Sequence, residues 1–339
     1  MLLTNHVPVS SFNRTMLSFT HTVRQGTRLI WKKASRSLLN GLLFFQSEKE
    51  RIAAQRRLRG REQVALLKRA DIVIVSFGKS GRTWLRVMLS RVYQVMHGLP
   101  ERSLIGFDNF HSMNPAIPKI FFTHDNYIKD YTGHSDSKVD FYDKKVVLLV
   151  RDPRDVAVSQ FFQWRYRMRP YKKRLNKYPP DGANVSLFDF VMNEDAGLPH
   201  IISFMNLWAE EADKVKDFFL LRYEDLHADP EGTLQRLMTF IGTPASDEQI
   251  KDAVDYASYE NMKKMEQQKT FWLSGGRMVP RDRNNPDSYK VRRAKVGGYL
   301  DYFDDQQVEA IEKLMETSLS PFFGYGRRTL PKRKTGTSV

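Results

Sequence analysis

The chain has no cysteine among its 339 residues. That absence excludes disulfides, thiolate zinc sites and cysteine nucleophiles, and it fits a reducing compartment. No run of 18 or more apolar residues occurs, so no transmembrane helix is expected. The first 47 residues hold no Asp or Glu at all, and they also lack the apolar stretch of a secretory signal. What is present is a hydrophobic content of 41% with 12% aromatics, enough for a large core in one α/β domain or two smaller ones.

The formal net charge of +15 is unevenly spread. Residues 1–69 carry 14 basic and 3 acidic side chains, and the other 270 residues carry 40 and 36. The body is only mildly basic, which argues against nucleic acid as its partner. Residues 1–69 read as a basic N-terminal extension, residues 70–329 as the folded domain and residues 330–339 as a basic tail. Within the extension, "LIWKKASRSLLNGLLFF" (residues 29–45) mixes aromatic, apolar and basic residues. Three readings fit residues 1–47: an amphipathic helix on an anionic membrane surface, an arm packed on the body or a solvated tail, and an organellar transit peptide. Residues 48–69 read as a charged helical linker.

From residue 71 onward, short apolar runs alternate with helical patterns. Strands are expected at about 71–76, 119–124, 144–153 and 218–223. The nearly continuous apolar run "KKVVLLV" suits a parallel strand buried on both faces. This alternation predicts an α/β fold, a mostly parallel central sheet flanked by helices. Ligands of such sheets bind at the C-terminal ends of the strands. Lys79, His124, Arg151 and Tyr223 all fall there.

"IVIVSFGKSGRTWLRVML" (residues 72–89) reads as strand, phosphate loop, helix. A nucleoside-triphosphate loop ends in Gly-Lys-Ser/Thr. Here Gly78-Lys79-Ser80 opens the turn and Gly81 follows. Such a turn offers backbone N–H groups and a helix N-terminus to an anion. Ser80 and Thr83 can add hydroxyl donors, and Lys79 a mobile charge. An ordinary strand-to-helix turn with a surface lysine fits this stretch equally well. In "RDPRDVAVSQFF" (residues 151–162), Arg151 leaves the third strand and Ser159 lies two turns into the next helix. They could meet a second phosphate. Equally, Arg151 could pair with Asp152 or Asp155, and Ser159 could bond its own helix.

At these residues the chain resembles the sulfotransferases that use 3′-phosphoadenosine 5′-phosphosulfate (PAPS). "FGKSGRTW" and "RDPRDVAVS" are similar to the segments that hold the 5′-phosphosulfate and the 3′-phosphate in that family. "RYEDLHADPEGTLQRLMTFIG" (residues 222–242) and "VRRAKVGGYLDYF" (residues 291–303) resemble two further family segments in the expected order. The resemblance covers about residues 71–325. It implies that Lys79, Ser80, Gly81, Arg82, Thr83 and Trp84 bind the 5′ side of PAPS. It implies that Arg151, Ser159, Arg292 and Arg293 grip the 3′-phosphate, and that Trp84, Tyr223, Ser258 and Tyr259 surround adenine. Lys79 would stabilise charge on the departing phosphate oxygen. His124, in "IFFTHDNY", occupies the family's base position, and histidine suits that role near neutral pH.

Three departures from the family pattern stand out. Phe122 replaces a lysine that helps hold the sulfonate, leaving that work to Lys79 alone or to another residue such as Arg82. Ala294 replaces a glycine. Leu300, Asp304 and Asp305 replace key residues of the family's dimer motif, so that dimer is not expected. The reaction implied is metal-free, in-line transfer of a sulfonate from PAPS to an acceptor hydroxyl on a glycan, a glycolipid or another alcohol. The location implied is cytoplasmic, with residues 1–47 as a peripheral membrane contact. A P-loop small-molecule kinase and a non-catalytic membrane-surface adaptor of the same fold are the rivals. The basic stretch Arg165–Lys177 reads as a solvated face or as a lid over an anionic or polyhydroxylated acceptor.

Overall fold

The computed structural model describes residues 46–271 and 278–326. The expected membrane contact or targeting segment in residues 1–45 and the basic C-terminal tail lie outside the described residues. Helix α1 (Glu48–Leu67) leads into β1 (Ile72–Ser76), which ends at the phosphate loop before α2 (Arg82–His97). After β2 (Ile120–Thr123) and a short α3 (Ile128–Thr132), β3 (Lys145–Val150) feeds α4 (Pro153–Tyr166). Then come α5 (Pro170–Leu175), α6 (Leu198–Glu211), β4 (Asp217–Arg222) and α7 (Tyr223–Ala228). Next are α8 (Pro230–Ile241), α9 (Asp247–Tyr256) and α10 (Tyr259–Gln268), and α11 (Asp305–Ser318) follows an irregular stretch.

The four strands form one parallel sheet in the order β2-β1-β3-β4. Val73 registers with Phe121 on one side and Val146 on the other, and Val146 registers in turn with Phe218. The alternation of side chains along a strand divides the core in two. Ile72, Ile74, Val147 and Leu149 pack with α2, α8 and α9. Val73, Val75, Val146 and Leu148 pack on the opposite face with α4, α6 and α11. Both faces are covered, which explains why β1 and β3 read as unbroken apolar runs.

The turn after β3 is fixed by a buried ionic cluster. Asp152 caps α4 by accepting from the Arg154 N–H, and Pro153 occupies the first turn. The Arg154 guanidinium donates to Asp152 at 2.8 Å and to both oxygens of Glu312 at 2.7 and 2.8 Å. This cluster ties α11 to the strand end from which Arg151 emerges.

Residues 48–67 are helical as expected, but they are not a linker. Helix α1 lies against α3 and α5, and its Gly60 backs directly onto the chain there. A Cβ at Gly60 would sit 2.2 Å from the Tyr127 carbonyl oxygen and 2.8 Å from Tyr131 Cβ. Arg56 donates to Asp130 at 3.0 Å, to the Leu175 carbonyl at 2.8 Å and to the Asn126 carbonyl at 3.0 Å. The charges that suggested solvation are in part spent on the domain itself.

Candidate active site

The loop between β1 and α2 turns on two left-handed residues, Lys79 at φ 76° and Gly81 at φ 92°. Gly81 caps α2 without any side-chain hydrogen bond to the first turn. The helix therefore presents backbone donors and its positive end to whatever lies above the loop. Gly81 has a second reason to be glycine, because a Cβ there would meet the Tyr223 ring at 2.6 Å. That ring stands edge-on to Trp84, with centroids 5.6 Å apart. Trp84 Nε1 donates to the Ala257 carbonyl at 2.9 Å, so the segment carrying Ser258 and Tyr259 is held beside it.

Arg151 lies over the Tyr223 ring, 4.4 Å from its centroid. It donates to the Lys295 carbonyl at 3.0 Å and approaches Asp155 at 3.5 Å, so the expected pairing with Asp155 is present. Its Nε is buried with no hydrogen-bond partner among the described residues, which leaves a donor for an anion. Asp155 accepts from the backbone N–H groups of Gly297 at 2.8 Å and Tyr299 at 3.0 Å. The segment bearing Arg292 and Arg293 is thus clamped onto α4. Arg292 stacks on Phe162 at 3.6 Å and donates to the Tyr302 hydroxyl at 2.6 Å. Arg293 donates to the same hydroxyl at 3.2 Å and pairs with Asp301 at 2.8 Å. The Tyr259 hydroxyl donates to the Arg292 carbonyl at 3.0 Å.

Ala294 keeps the turn that glycine would have made easy, adopting φ 50°. A left-handed alanine costs roughly 1–2 kcal/mol. Ala294→Gly is therefore expected to raise stability by up to about 1 kcal/mol, since glycine returns part of the gain as unfolded-state entropy. Urea unfolding of the two proteins checks this. A lower midpoint for Ala294→Gly would contradict the strained turn.

Burial and neighbouring Arg167 pull the Lys79 ammonium down to about 7, against the counteracting charge of Glu266. Lys290 lies well below its ordinary range for the same reasons, burial first and Lys79 second. Lys290 Nζ donates to Thr83 Oγ1 at 3.2 Å. Glu266 fixes its backbone by accepting from the N–H groups of Lys290 at 2.8 Å and Val291 at 2.9 Å. Crowded cations stripped of water are a site prepared for anionic charge.

His124, at the end of β2, donates through Nδ1 to the Ser76 carbonyl at 2.7 Å. A carbonyl only accepts, so the proton sits on Nδ1 and the lone pair on Nε2. Arg82 donates to that Nε2 at 2.5 Å. Burial, reinforced by the Arg82 charge, pushes the imidazole well below its ordinary pKa. His124 is therefore neutral at physiological pH, with Nε2 accepting from Arg82 at the cavity wall. Asp125 beside it is tied to Lys138 at 2.7 Å.

One cavity of about 2160 Å³ joins these groups. Lys79, Gly81, Arg82, Thr83, Trp84, His124, Arg151, Ser159, Tyr223, Ser258, Tyr259, Arg292 and Arg293 all line it. Ser80 does not, because it is buried within the turn. The volume exceeds the roughly 300–1,000 Å³ of a usual small-ligand site, leaving room for two substrates. Phe122 also lines the cavity, with the Arg86 guanidinium 3.6 Å from its ring centroid. Arg82, considered above as a stand-in for the family lysine at that place, is engaged with His124. Lys290 reaches both Thr83 of the loop and the neighbourhood of His124, and the sequence reading missed it. Arg167 was missed too. Both lie outside regular motifs, and only their nearness to the "VRRAKV" segment and the basic stretch hinted at them.

The chain has relatives among known proteins. A family model described as "Sulfotransferase domain" matches residues 69–323. The chain is 25% identical to "Cytosolic sulfotransferase 3" of Arabidopsis thaliana over 264 residues, covering 74% of this chain and 77% of that protein. It is 23% identical to mouse "Sulfotransferase 2A2", covering 76% and 87%. Among solved structures it is similar to mouse sulfotransferase SULT7A1 complexed with PAP, at 20% identity and a TM-score of 0.49, covering 76% and 89%. The phosphate loop, the strand-end arginine and the clamped C-terminal segment all fall inside the span that the family model matches, and the chain belongs to the sulfotransferase domain family.

Proposed function

We propose that this sulfotransferase moves the sulfonate of PAPS to a hydroxyl of an acceptor, a glycan, a glycolipid or another alcohol, with His124 as general base. The observation that carries the reading is a neutral histidine, its Nε2 held by Arg82, beside a loop crowded with desolvated cations. The loop and α2 hold the 5′-phosphosulfate, and Trp84, Tyr223, Ser258 and Tyr259 enclose adenine. Arg151, Ser159, Arg292 and Arg293 take the 3′-phosphate, and the spare Arg151 Nε supports that assignment. The acceptor hydroxyl gives its proton to His124 Nε2 as its oxygen bonds to sulfur. The bond from sulfur to the phosphate oxygen breaks, and Lys79 and Lys290 stabilise the charge left on that oxygen. Lys290 thereby supplies the charge that Phe122 does not. The names of plant relatives as cytosolic enzymes support a cytoplasmic site of action. No helix among the described residues is long and apolar enough to cross a membrane.

Adenosine 3′,5′-bisphosphate is expected to stabilise the protein by about 2.7 kcal/mol at 100 times its dissociation constant. ATP, lacking the 3′-phosphate, is expected to shift the thermal melt less. A melt unmoved by millimolar bisphosphate would remove the cofactor from the reading.

A further inference from the structure

The acceptor half of the cavity includes chain from outside the family's boundaries. Arg56, Arg59 and Gln63 of α1 line it, and the family match begins only at residue 69. The spacing i, i+3, i+7 places the three on one helix face. Their environments differ. Arg56 is fully engaged with Asp130 and two backbone carbonyls, and it anchors the helix. Arg59 has no carboxylate partner among the described residues. It lies against the rings of Tyr127 and Tyr171, 5.7 and 5.8 Å from their centroids, and reaches the Tyr171 hydroxyl at 3.4 Å. Its Nε and the Gln63 Oε1 one turn further on are both buried without a hydrogen-bond partner among the described residues. Buried polar atoms of that kind call for a partner.

Most of the charge close to the histidines is positive. Lys172 lies near enough to His124, and Lys129 and Lys177 near enough to His200, to disfavour the protonated imidazoles. Two of the acids on this side are paired. Asp130 is held by Arg56 and Asp125 by Lys138. Asp195 stands near His200, and Asp136 and Glu210 also line the wall.

Resting on the proposed sulfonate transfer, we infer that the acceptor is itself an anion, bearing a carboxylate, sulfate or phosphate that Arg59 of α1 binds while the target hydroxyl faces His124. The planar guanidinium, already stacked between two tyrosines, suits a forked bond to such a group. Gln63 Oε1 accepts from a hydroxyl on the same molecule. A neutral alcohol would leave Arg59 without its counter-charge.

Cell extract is divided into aqueous and lipid phases, and each phase is passed over an anion exchanger. The retained and flow-through fractions are then incubated with labelled PAPS and the full-length protein. Label is expected in fractions retained before the reaction, and the phase that holds it tells a soluble acid from a lipid one. With that acidic fraction limiting, Arg59→Gln is expected to lower the rate roughly 10- to 100-fold, the worth of a charged hydrogen bond. Its bisphosphate affinity and thermal melt are expected to be unchanged, and Arg59→Lys should recover part of the rate. Labelling confined to flow-through fractions, or an Arg59→Gln rate equal to wild type, overturns the inference and leaves the transferase reading standing. No labelling of any fraction removes both.

Discussion

His124→Ala is expected to lose turnover by roughly 10²–10⁴-fold, the usual contribution of a positioned base. Its affinity for adenosine 3′,5′-bisphosphate should hold, because the imidazole faces the acceptor side of the loop. The loss should therefore appear in kcat with little change in the KM for PAPS. His124→Asn keeps a hydrogen-bonding side chain but cannot accept the proton, and it should be nearly as slow. The pH profile adds a sign. Burial and Arg82 depress the imidazole well below its ordinary value, so the free base is present through the physiological range. Wild-type kcat should be level near neutrality as far as this group is concerned, and should fall only in acid well below the ordinary histidine range. Both variants should lack that acid limb. A variant retaining more than about a tenth of wild-type turnover would mean another group takes the proton. The pairing of Asp125 with Lys138 leaves that carboxylate poorly placed to replace it.

Lys79→Met is expected to slow turnover by roughly 10²–10³-fold, the range for removing one donor from a developing oxyanion. It should also change the protonic balance of binding. Lys79 sits at about 7, and an anionic ligand raises it. Binding of the bisphosphate between about pH 7 and 9 should therefore take up protons, and affinity should fall as pH rises. Calorimetry in buffers of different ionisation heat measures the uptake directly. Lys79→Met should remove its share and leave that of Lys290. Stability of the free protein moves the other way. The unfolded lysine keeps its proton up to about 10.5 and the folded one releases it near 7. The unfolded state binds more protons between those values, so stability should rise with pH across that window. Identical binding heats in phosphate and Tris buffers would sink this account.

The strands were legible because burial on both faces leaves unbroken apolar runs. Three fall within one residue of expectation, and β3 ends at Val150, short of the Pro153 expected, because α4 begins there. The loop after β1 was legible as a strand-glycine-helix junction, though nothing in "GKSG" says that Lys79 as well as Gly81 takes a left-handed conformation. Helix α1 was misread as a linker for a physical reason. Arg56 looks solvated in sequence, yet its three partners lie 70 to 119 residues away. Lys290 was hidden because its position depends on Glu266, a buried carboxylate at the end of another helix. The charge proposed to stand in for the lysine missing at Phe122 comes from a part of the chain that no local pattern connects to it.

The parallel sheet also dictates when the protein becomes competent during its synthesis. All of its strand pairings are parallel, so no strand is joined to its neighbour by a hairpin. Each addition waits for a crossover, which is slow and leaves unpaired edges meanwhile. The phosphate loop emerges early, but the arginines opposite it stay unanchored until Gly297 and Tyr299 reach Asp155. A nascent chain halted before those residues can display the loop without closing the nucleotide between its two walls. Tight capture of the bisphosphate on stalled ribosomes should thus begin abruptly, only after about residue 302 has cleared the exit tunnel.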